Sequence, residues 1–298
     1  MIIVKLQGGL GNQMFQYAFG LSVSQRQKAK LYLDNSFFTG QQPGTDIALR
    51  QFDLNVFAGD FAFTDPTTVK TFTNPGKLQK TLNNLKIGRK RTYTEASLRV
   101  NEDALMIHAP AYFDGYWQSE VYFKDLEYKI RKAYSFNKQL NQASQKLADE
   151  LMLKTNAVSI HVRRGDYISS ERTNQIHGTC STSYYLNAIE LVREKIADPE
   201  FYLFTDDPAW VKDTLMPVLA DATLVIHNRA EDSWQDMALM SKCSHHIIAN
   251  SSFSWWGAWL NPNKDKIVVA PKYWFKTHDH YFDDSDILPQ SWIKISND

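Results

Sequence analysis

Short apolar runs alternate with amphipathic stretches in the second half of the chain. The runs at 157–162, 201–205, 223–226, 246–249 and 266–270 predict five strands. The stretches between them have the periodicity of helices. Alternating strands and helices are typical of a parallel, doubly wound α/β sheet, in which ligands bind beyond the carboxyl ends of the strands. Polar residues at those ends are therefore the first candidates for a binding site.

The opening segment, residues 2–34, has the same kind of pattern: an apolar run, the glycine-rich turn GGLG at 8–11, a helical stretch and a second apolar run. This order predicts a βαβ unit. The turn is similar to a dinucleotide-binding fingerprint, but Met14 stands where close helix–strand packing requires a small residue. We therefore expect the turn to aim backbone N–H groups, Asn12 and Gln13 at the carboxyl edge of a sheet. A tight packing turn is the alternative.

The segment 108–123 predicts a strand that ends at Asp114, followed by Tyr116, Trp117 and Gln118 on a turn. A carboxylate and an aromatic ring at a strand end suit a sugar, because the ring can stack on the sugar face while the carboxylate accepts from a hydroxyl. The alternative is a core tryptophan beside a capping aspartate.

Composition and charge restrict the class of protein. The chain has 298 residues, of which 43% are hydrophobic and 22% charged, which are values of a globular protein of about two domains. A long helical pattern at 125–153 precedes the predicted boundary, so we expect domains at 1–154 and 155–298. Lys+Arg and Asp+Glu both number 33, and this balance does not support a nucleic-acid interface.

Cysteines and apolar runs indicate the compartment. The two cysteines, Cys180 and Cys243, form no disulfide framework and fit a reducing, cytoplasmic setting. The N-terminus lacks the pattern of a signal peptide, and no apolar run approaches the about 20 residues that span a membrane. A basic cluster is the remaining feature that bears on membranes, and its members are Lys77, Lys80, Lys86, Arg89, Lys90 and Arg91. It predicts a solvated surface, with weak contact to an anionic membrane as the alternative.

Three strand ends in the second half carry complementary polar groups. They are His161, Arg163, Arg164 and Asp166 at the first, Asp206 and Asp207 at the second, and Asn250, Ser251, Ser252 and Phe253 at the third. Two arginines can clamp a diphosphate, a helix N-terminus favours an anion, and carboxylates can accept from a ribose or a guanine edge. Together they predict a nucleotide-diphosphate site. An arginine–aspartate ion pair that holds the loop, and a divalent metal on the acidic pair, are the alternatives.

Five segments resemble, in order, the motifs of the α-1,2-fucosyltransferases, family 11 of the glycosyltransferases. They are GGLGNQMFQYA at 8–18, GYWQSEVYF at 115–123, HVRRGD at 161–166, FTDD at 204–207 and NSSFSWWGAWL at 250–260. The H-x-R-x-G-D pattern is shared with α-1,6- and protein O-fucosyltransferases, whereas the two long motifs favour the α-1,2 group. The pattern of the family leads us to expect a basic residue at position 121, and this sequence departs from it with Val121. Its place beside the expected acceptor site bears on acceptor choice.

The resemblance implies a GT-B fold, with two Rossmann-like domains facing a cleft, the N-terminal one on the acceptor side and the C-terminal one binding the donor. It implies inverting transfer of L-fucose from GDP-L-fucose to the 2-hydroxyl of a galactose-terminated oligosaccharide or lipid-linked glycan, without a metal or cofactor. A bacterial cytoplasmic enzyme of surface polysaccharide or O-antigen synthesis is expected. The alternatives are a fucosyltransferase of another linkage, a protein O-fucosyltransferase, a nucleotide-dependent oxidoreductase and a non-catalytic carbohydrate-binding module.

Negative charge grows on the β-phosphate as an oxocarbenium-like sugar leaves, so we assign Arg163 to stabilise that charge and His161 to orient Arg163 or contact the diphosphate. Other donor contacts are expected from Asn12, Gln13, Arg164, Asp166, Asp206, Asp207, Asn250, Ser251, Ser252 and Phe253. The first candidate for the general base is Asp114 and the second is Glu120. Acceptor contacts are expected from Tyr116, Trp117 and Gln118.

Overall fold

The computed structural model describes residues 1–41, 49–85, 89–219, 221–277 and 279–298, without the side chains of Leu78, Asp166 and Ser169. The chain divides into two compact units. The first comprises Met1–Asn137 and Asp279–Ile287, and the second comprises Lys138–His278 and Leu288–Asp298. The first unit therefore ends before the boundary expected at residue 154, and it includes a short segment from near the C-terminus.

The first unit contains four parallel strands in the order β2-β1-β4-β3 among the described residues. The strands are β1 (Ile2–Lys5), β2 (Leu31–Asp34), β3 (Arg91–Thr94) and β4 (Ala111–Asp114). The helices are α1 (Leu10–Arg26), α2 (Ser36–Thr39), α3 (Pro66–Thr73), α4 (Lys77–Asn84) and α5 (Glu127–Ala133). The predicted βαβ opening is confirmed by β1, α1 and β2.

Close packing of α1 on the sheet depends on Gly20. A Cβ atom at that position would lie 2.7 Å from Cγ2 of Val4 and 2.9 Å from Cδ1 of Leu31. The small residue that such packing requires is thus present, but it stands further along the helix than Met14. This placement separates the unit from the dinucleotide-binding fingerprint.

The segment Asp279–Ile287 is anchored to the first unit by hydrogen bonds. The backbone N–H of Val100 donates to Oδ2 of Asp286 (3.0 Å), and Oγ of Ser119 donates to the carbonyl oxygen of Asp286 (2.7 Å). The backbone N–H of Leu98 also donates to the carbonyl oxygen of Tyr281 (2.9 Å). These bonds hold the loops after β3 and β4.

The second unit contains six parallel strands in the order β10-β9-β8-β5-β6-β7 among the described residues. The strands are β5 (Ala157–Val162), β6 (Glu200–Thr205), β7 (Thr223–Val225), β8 (His245–Ile247), β9 (Val268–Pro271) and β10 (Ile293–Ile295). The helices are α6 (Gln142–Leu151), α7 (Gly165–Ser169), α8 (Glu171–His177), α9 (Thr182–Lys195), α10 (Pro208–Thr214), α11 (Trp234–Met240) and α12 (Ser252–Leu260). All six residues of β5 are buried, as expected for the centre of a doubly wound sheet.

The single helical stretch expected at 125–153 is wrong, because it is two helices, α5 and α6. Between them the backbone forms an antiparallel bridge between Phe136 and Phe57. Ala58 donates to the carbonyl oxygen of Ser135 (2.9 Å), and Asn137 donates to that of Val56 (3.0 Å). This pairing removes residues 135–137 from the helix, so tertiary hydrogen bonds override the local helical pattern.

Candidate active site

The strand order of the second unit indicates where a ligand site is expected. From β5 the chain proceeds outward to β6 and β7 and then returns to β8 on the other side of β5. The carboxyl ends of β5 and β8 therefore flank a topological switch point, where doubly wound sheets bind ligands. Residues 161–164 include the carboxyl end of β5 and the two residues after it, and the segment 250–253 follows β8. The sheet thus brings the polar segments expected from the sequence to one edge.

Both arginines at the end of β5 are oriented by aspartates at the end of β6. Nη1 of Arg163 lies 3.0 Å from Oδ2 of Asp206, and the backbone N–H of Arg164 donates to Oδ1 of the same residue (2.8 Å). Nε of Arg164 lies 3.4 Å from Oδ2 of Asp207. The ion pairs that the sequence allowed are present, and an anion at this edge would meet guanidinium groups that are already oriented.

The aspartates themselves are engaged by the protein. Oδ1 of Asp207 accepts from the backbone N–H of Trp210 (3.1 Å) and so caps α10, while Arg164 lies over the Trp210 ring at 4.3 Å. Gly165 packs closely beside Asp206, since a Cβ there would lie 2.9 Å from Oδ2 and would displace the carboxylate. These contacts make the aspartates supports for the arginines. Among the described residues, no group of three or more His, Cys, Asp or Glu side chains is arranged to hold a metal ion.

His161 is a neutral, buried group at this edge. It is 6% exposed, and burial, with a smaller effect from Arg163, lowers the pKa of its imidazole to about 3. Nδ1 has no hydrogen-bond partner in the described structure, and the Phe253 ring lies 5.7 Å away, centroid to centroid. A buried nitrogen without a partner is costly unless a ligand supplies one, so His161 fits a contact to bound substrate.

The segment after β8 combines a structural residue with an anion-binding terminus. Nδ2 of Asn250 donates to the carbonyl oxygens of His177 (2.9 Å), Gly178 and Trp274, so its side chain is an internal anchor rather than a ligand-facing group. In contrast, α12 begins at Ser252 without a side-chain cap on its described N-terminus, and Ser251 is its N-cap residue. Uncapped first-turn amides are available to an anion. The side chain of Asp166 lies outside the described residues.

A carboxyl group that the sequence did not single out lies near the end of β7. Asp236, in the first turn of α11, accepts at Oδ1 from Nδ2 of Asn228 (2.8 Å). Burial raises the pKa of Asp236 to about 7. Asp236 therefore belongs to a polar cluster at the same sheet edge as the arginines.

In the first unit, the glycine turn after β1 holds one of the two expected amides toward other site residues. Oδ1 of Asn12 accepts from Nε2 of Gln118 (2.8 Å), which joins the ends of β1 and β4. Gln13 is buried instead, with its amide donating to the carbonyl oxygens of Gly8 (3.0 Å) and Gln51 (2.8 Å). Both amide hydrogens are used internally, so the Gln13 side chain fixes the turn and does not face a ligand.

The residues expected to contact the acceptor differ in exposure. Trp117 is 0% exposed and stacks on Phe19 at 4.0 Å between ring centroids, so its ring is part of the core and does not present a face to a sugar. Asp114 is partly exposed at the end of β4, and its Oδ2 lies 2.9 Å from Nζ of Lys5. Tyr116 is half-buried on the turn between them, and Glu120 lies in the short 3-10 helix Glu120–Tyr122.

Glu95 is the second acid that the sequence did not single out. It follows β3, an edge strand whose residues alternate between half-buried and exposed positions. Its carboxyl group is buried and accepts hydrogen bonds from the backbone N–H groups of Tyr116 (2.7 Å) and Trp117 (3.0 Å). No sequence motif marks this residue, because its burial depends on the turn that follows β4.

Comparison with known proteins assigns the family. The model of glycosyl transferase family 11 matches residues 1–296. The chain belongs to this family. It is therefore a glycosyltransferase, and the resemblance of its five motifs is confirmed over the whole chain.

Relatives in this family include bacterial and animal enzymes. An alpha-1,2-colitosyltransferase of Escherichia coli is 32% identical over 308 residues, which cover 99% of each chain. The O-antigen biosynthesis glycosyltransferase WbnK of Escherichia coli is 31% identical over 97% of this chain and 99% of its own. Human galactoside alpha-(1,2)-fucosyltransferase 1 is 26% identical over 154 residues, or 49% of this chain and 42% of that protein.

Solved structures support the fold class. NodZ alpha-1,6-fucosyltransferase soaked with GDP-fucose is similar with a TM-score of 0.50 at 16% identity, over 88% of this chain and 92% of its own. A mutant of Arabidopsis thaliana FUT1 in complex with GDP has a TM-score of 0.51 at 10% identity, over 98% of this chain and 75% of its own. The predicted GT-B class, with two Rossmann-like units, is confirmed. No helix among the described residues combines the length and apolar character that a membrane span requires.

Proposed function

We propose that this glycosyltransferase moves L-fucose from GDP-L-fucose to the 2-hydroxyl of a galactose-terminated glycan, with inversion and formation of an α-1,2 linkage. The observation that carries the proposal is the pair of oriented arginines at the switch point, together with the uncapped N-terminus of α12. Support for the sugar and the linkage comes from the relatives, two of which are named for α-1,2 transfer. Support for the nucleotide comes from structural neighbours solved with GDP-fucose or GDP.

In the proposed mechanism, Arg163 stabilises the charge that grows on the β-phosphate as the glycosidic bond breaks. Its guanidinium is held by Asp206, so little reorganisation is needed when the transition state forms. Arg164 and the first amides of α12 assist, and neutral His161 supplies a hydrogen bond from its otherwise unpaired edge. The reaction in this proposal requires no metal, because these groups together offset the diphosphate charge.

We assign recognition of the guanine to Asp236 rather than to Asp206 or Asp207. Both carboxylate oxygens of Asp206 contact the two arginines. Asp207 caps α10 by accepting from the backbone N–H of Trp210. The carboxyl group of Asp236 accepts a side-chain hydrogen bond from Asn228 at Oδ1, and it lies beyond β7 at the same edge. A carboxylate matches the N1–H and N2–H donors of guanine, and these donors are absent from adenine.

On the acceptor side we propose Asp114 as the general base. Its carboxylate is partly exposed at the end of β4 and is held by Lys5. Tyr116 and Gln118 follow on the turn and are the proposed contacts to the galactoside, with Glu120 as the second candidate for the base. Trp117 supports this turn from within the core.

Transfer of colitose is the second candidate, because the relative with 32% identity over the full chain is named an alpha-1,2-colitosyltransferase. Colitose lacks the 3-hydroxyl of fucose, so the two donors differ by one hydrogen-bonding group. Comparing kcat/KM for GDP-fucose and GDP-colitose with one acceptor decides between them. A ratio of at least tenfold in favour of GDP-fucose is expected if the site binds the 3-hydroxyl.

We further propose a cytoplasmic role in O-antigen or surface polysaccharide synthesis, supported by the relative named for O-antigen biosynthesis. Of the basic cluster, Lys77, Lys80 and Arg89 are exposed, whereas Lys90 donates to Oγ1 of Thr71 (2.6 Å). Lys86 lies outside the described residues. A weak membrane contact therefore rests on three exposed cations. Sedimentation with vesicles that contain anionic lipid, compared with neutral vesicles, tests it, and equal binding to both removes it.

The central experiment is incubation of the protein with GDP-fucose and a panel of galactosides and other glycans, followed by linkage analysis of the product. We expect α-1,2-fucosylated galactoside and unchanged turnover in EDTA. A different linkage, or a product on a non-galactose acceptor, contradicts the proposed acceptor. Loss of turnover in EDTA that Mg²⁺ or Mn²⁺ restores contradicts metal independence.

A further inference from the structure

Glu95 connects the carboxyl ends of β3 and β4. Its backbone N–H donates to the carbonyl oxygen of Asp114 (2.9 Å). Its two carboxylate oxygens then accept one bond each, Oε2 from the N–H of Tyr116 (2.7 Å) and Oε1 from the N–H of Trp117 (3.0 Å). The side chain is 5% exposed. A single buried side chain therefore satisfies two consecutive backbone donors in the turn that follows β4.

The turn fits tightly around this carboxylate. A Cβ at Gly115 would lie 2.5 Å from Cβ of Glu95 and 2.9 Å from its Oε2, so glycine is required there. Trp117 has a φ of 57°, in the left-handed region that tryptophan rarely adopts. The two hydrogen bonds from backbone N–H groups to Glu95 hold the turn in this conformation, because relaxing the turn would leave the buried carboxyl without partners.

The same turn is connected to the glycine turn after β1. Nε2 of Gln16 donates to the carbonyl oxygen of Gly115 (3.2 Å), and Nε2 of Gln118 donates to Oδ1 of Asn12 (2.8 Å). A change in the backbone at 115–117 would therefore move Gln118 and release its bond to Asn12. Among the groups that fix this turn, Glu95 is the one that can lose or gain a proton near neutral pH.

We propose that Glu95 is a positioning residue whose carboxylate holds the 115–118 turn and thereby sets Tyr116 and Gln118 for the acceptor. The acceptor part of this inference rests on the proposed function. The ionised form is required, because only a carboxylate presents two acceptor oxygens to two N–H donors. A protonated carboxyl, or a glutamine amide, presents a donor where one of these acceptors is needed.

The protonation of Glu95 changes within the range in which the enzyme can be assayed. Burial raises the pKa of Glu95 to about 7, and the charge of Asp114 adds to the rise. The two hydrogen bonds from backbone N–H groups act in the opposite direction. The titratable groups that interact with Glu95 are Tyr93 on β3, Asp114 at the end of β4, Tyr116 on the turn, Tyr122 in the following 3-10 helix, and Tyr281 in the returning segment. Lys5, at the end of β1, pairs with Asp114. The pKa values of all four tyrosines are raised, so they stay neutral at this pH. Ionisation of Glu95 is thus expected to tighten the turn, and protonation is expected to loosen it.

The first test does not depend on the proposed substrates. In protein labelled with ¹⁵N-tryptophan, with Trp117→Phe used for assignment, we expect the backbone amide of Trp117 to shift between pH 6 and 8 with a midpoint near 7. The shift should be absent in Glu95→Gln and retained in Glu102→Gln, which changes an exposed glutamate of the same unit. A Trp117 amide that does not titrate in the wild-type protein overturns the proposal. This holds even if Glu95→Gln fails to fold, because the wild-type titration stands alone.

The second test measures the consequence for catalysis. We expect the wild-type kcat/KM to fall below pH 7. Glu95→Gln should abolish this fall and should raise the KM for the acceptor at least tenfold at pH 8. Thermal stabilisation by GDP shows that the variant is folded. If the folded variant has the same acceptor KM and the same pH profile as the wild type, the positioning role is overturned. If no glycan in the panel is fucosylated, the proposed function fails, and the amide titration still decides the role of Glu95.

Discussion

The carboxyl edge of the second sheet holds two arginines and two aspartates in mutual contact, whereas that of the first sheet holds a buried carboxyl group among aromatic rings. In the second unit Arg163 and Arg164 are partly exposed and ion-paired. In the first, Glu95 is buried and bonded to backbone amides. The first arrangement keeps strong charges ready for an anion, and the second keeps a backbone turn in a fixed shape. The same sheet position can therefore serve either electrostatics or geometry.

Replacing Arg163, on the charged edge of the second sheet, should have the largest effect on turnover. We expect Arg163→Ala to lower kcat a few hundredfold, or about 3–4 kcal/mol, because it removes a donor that acts on the developing charge. Arg163→Lys should be nearly as harmful, since a point charge cannot replace the planar fork. Steady-state kinetics measure both variants. Arg193→Ala, which removes an arginine paired with Glu190 on α9, is the control and should retain turnover. Near-normal turnover of Arg163→Ala rules out its assignment.

Stability should depend on pH through the buried carboxyl of the first unit. In the folded protein the pKa of Glu95 is raised from 4.5 to about 7, because burial favours the protonated form. The resulting contribution to the free energy of unfolding is fully present below about pH 4.5 and is lost as the pH rises through about 7. This corresponds to about 3 kcal/mol between the two limits. Urea unfolding at pH 5 and pH 8 measures the difference, which Glu95→Gln should reduce. An equal difference in Glu95→Gln and wild type would assign the effect to other groups, of which Asp236 is the first candidate.

Removing the proposed base should have a somewhat smaller effect. We expect Asp114→Asn to lower kcat about 100-fold, which is the low end of what general base catalysis contributes. GDP affinity should stay unchanged, because Asp114 is proposed to act on the acceptor hydroxyl and not on the nucleotide. Glu120→Gln provides the comparison. An unchanged kcat in Asp114→Asn removes Asp114 from the role, and a large loss in Glu120→Gln would transfer the role to Glu120.

The smallest expected effect concerns the nucleotide base. Asp236→Asn should weaken GDP binding about tenfold, since it replaces one acceptor with a donor opposite guanine. ADP binding should be unaffected, which calorimetry with both nucleotides can show. Asp213→Asn, on the exposed face of α10, serves as the control. Equal losses for GDP and ADP would indicate a role in stability rather than in base recognition.

The sequence pattern misses one strand in each sheet, β3 in the first and β10 in the second, and both lie at a sheet edge. Strand β5 is buried at all six positions and apolar at four of them, which are Ala157, Val158, Ile160 and Val162. Its predicted bounds agree with the structure. Strand β3 is an edge strand, RTYT, with alternating exposure, and it carries no such signal. Residues of weak local pattern become strands through their neighbours, which a single segment does not reveal.

Site residues show a similar limit. The motifs led us to expect several polar segments at one sheet edge, and the structure places them there. They did not separate residues available to a ligand from residues that hold the edge together. Gln13 and Asn250 stand within motifs, and the structure uses both amides for internal hydrogen bonds. Glu95 and Asp236 stand outside every motif, and they become notable only through burial by distant segments.

The return of Asp279–Ile287 to the first unit has a consequence for protein engineering. A chimera that exchanges residues 1–137 with those of a relative would leave this segment behind, and the loops after β3 and β4 would lose their bonds to Asp286. A transplant of the complete first unit therefore needs two grafts, one of the N-terminal stretch and one of these nine residues. A single crossover point would produce a mismatched protein.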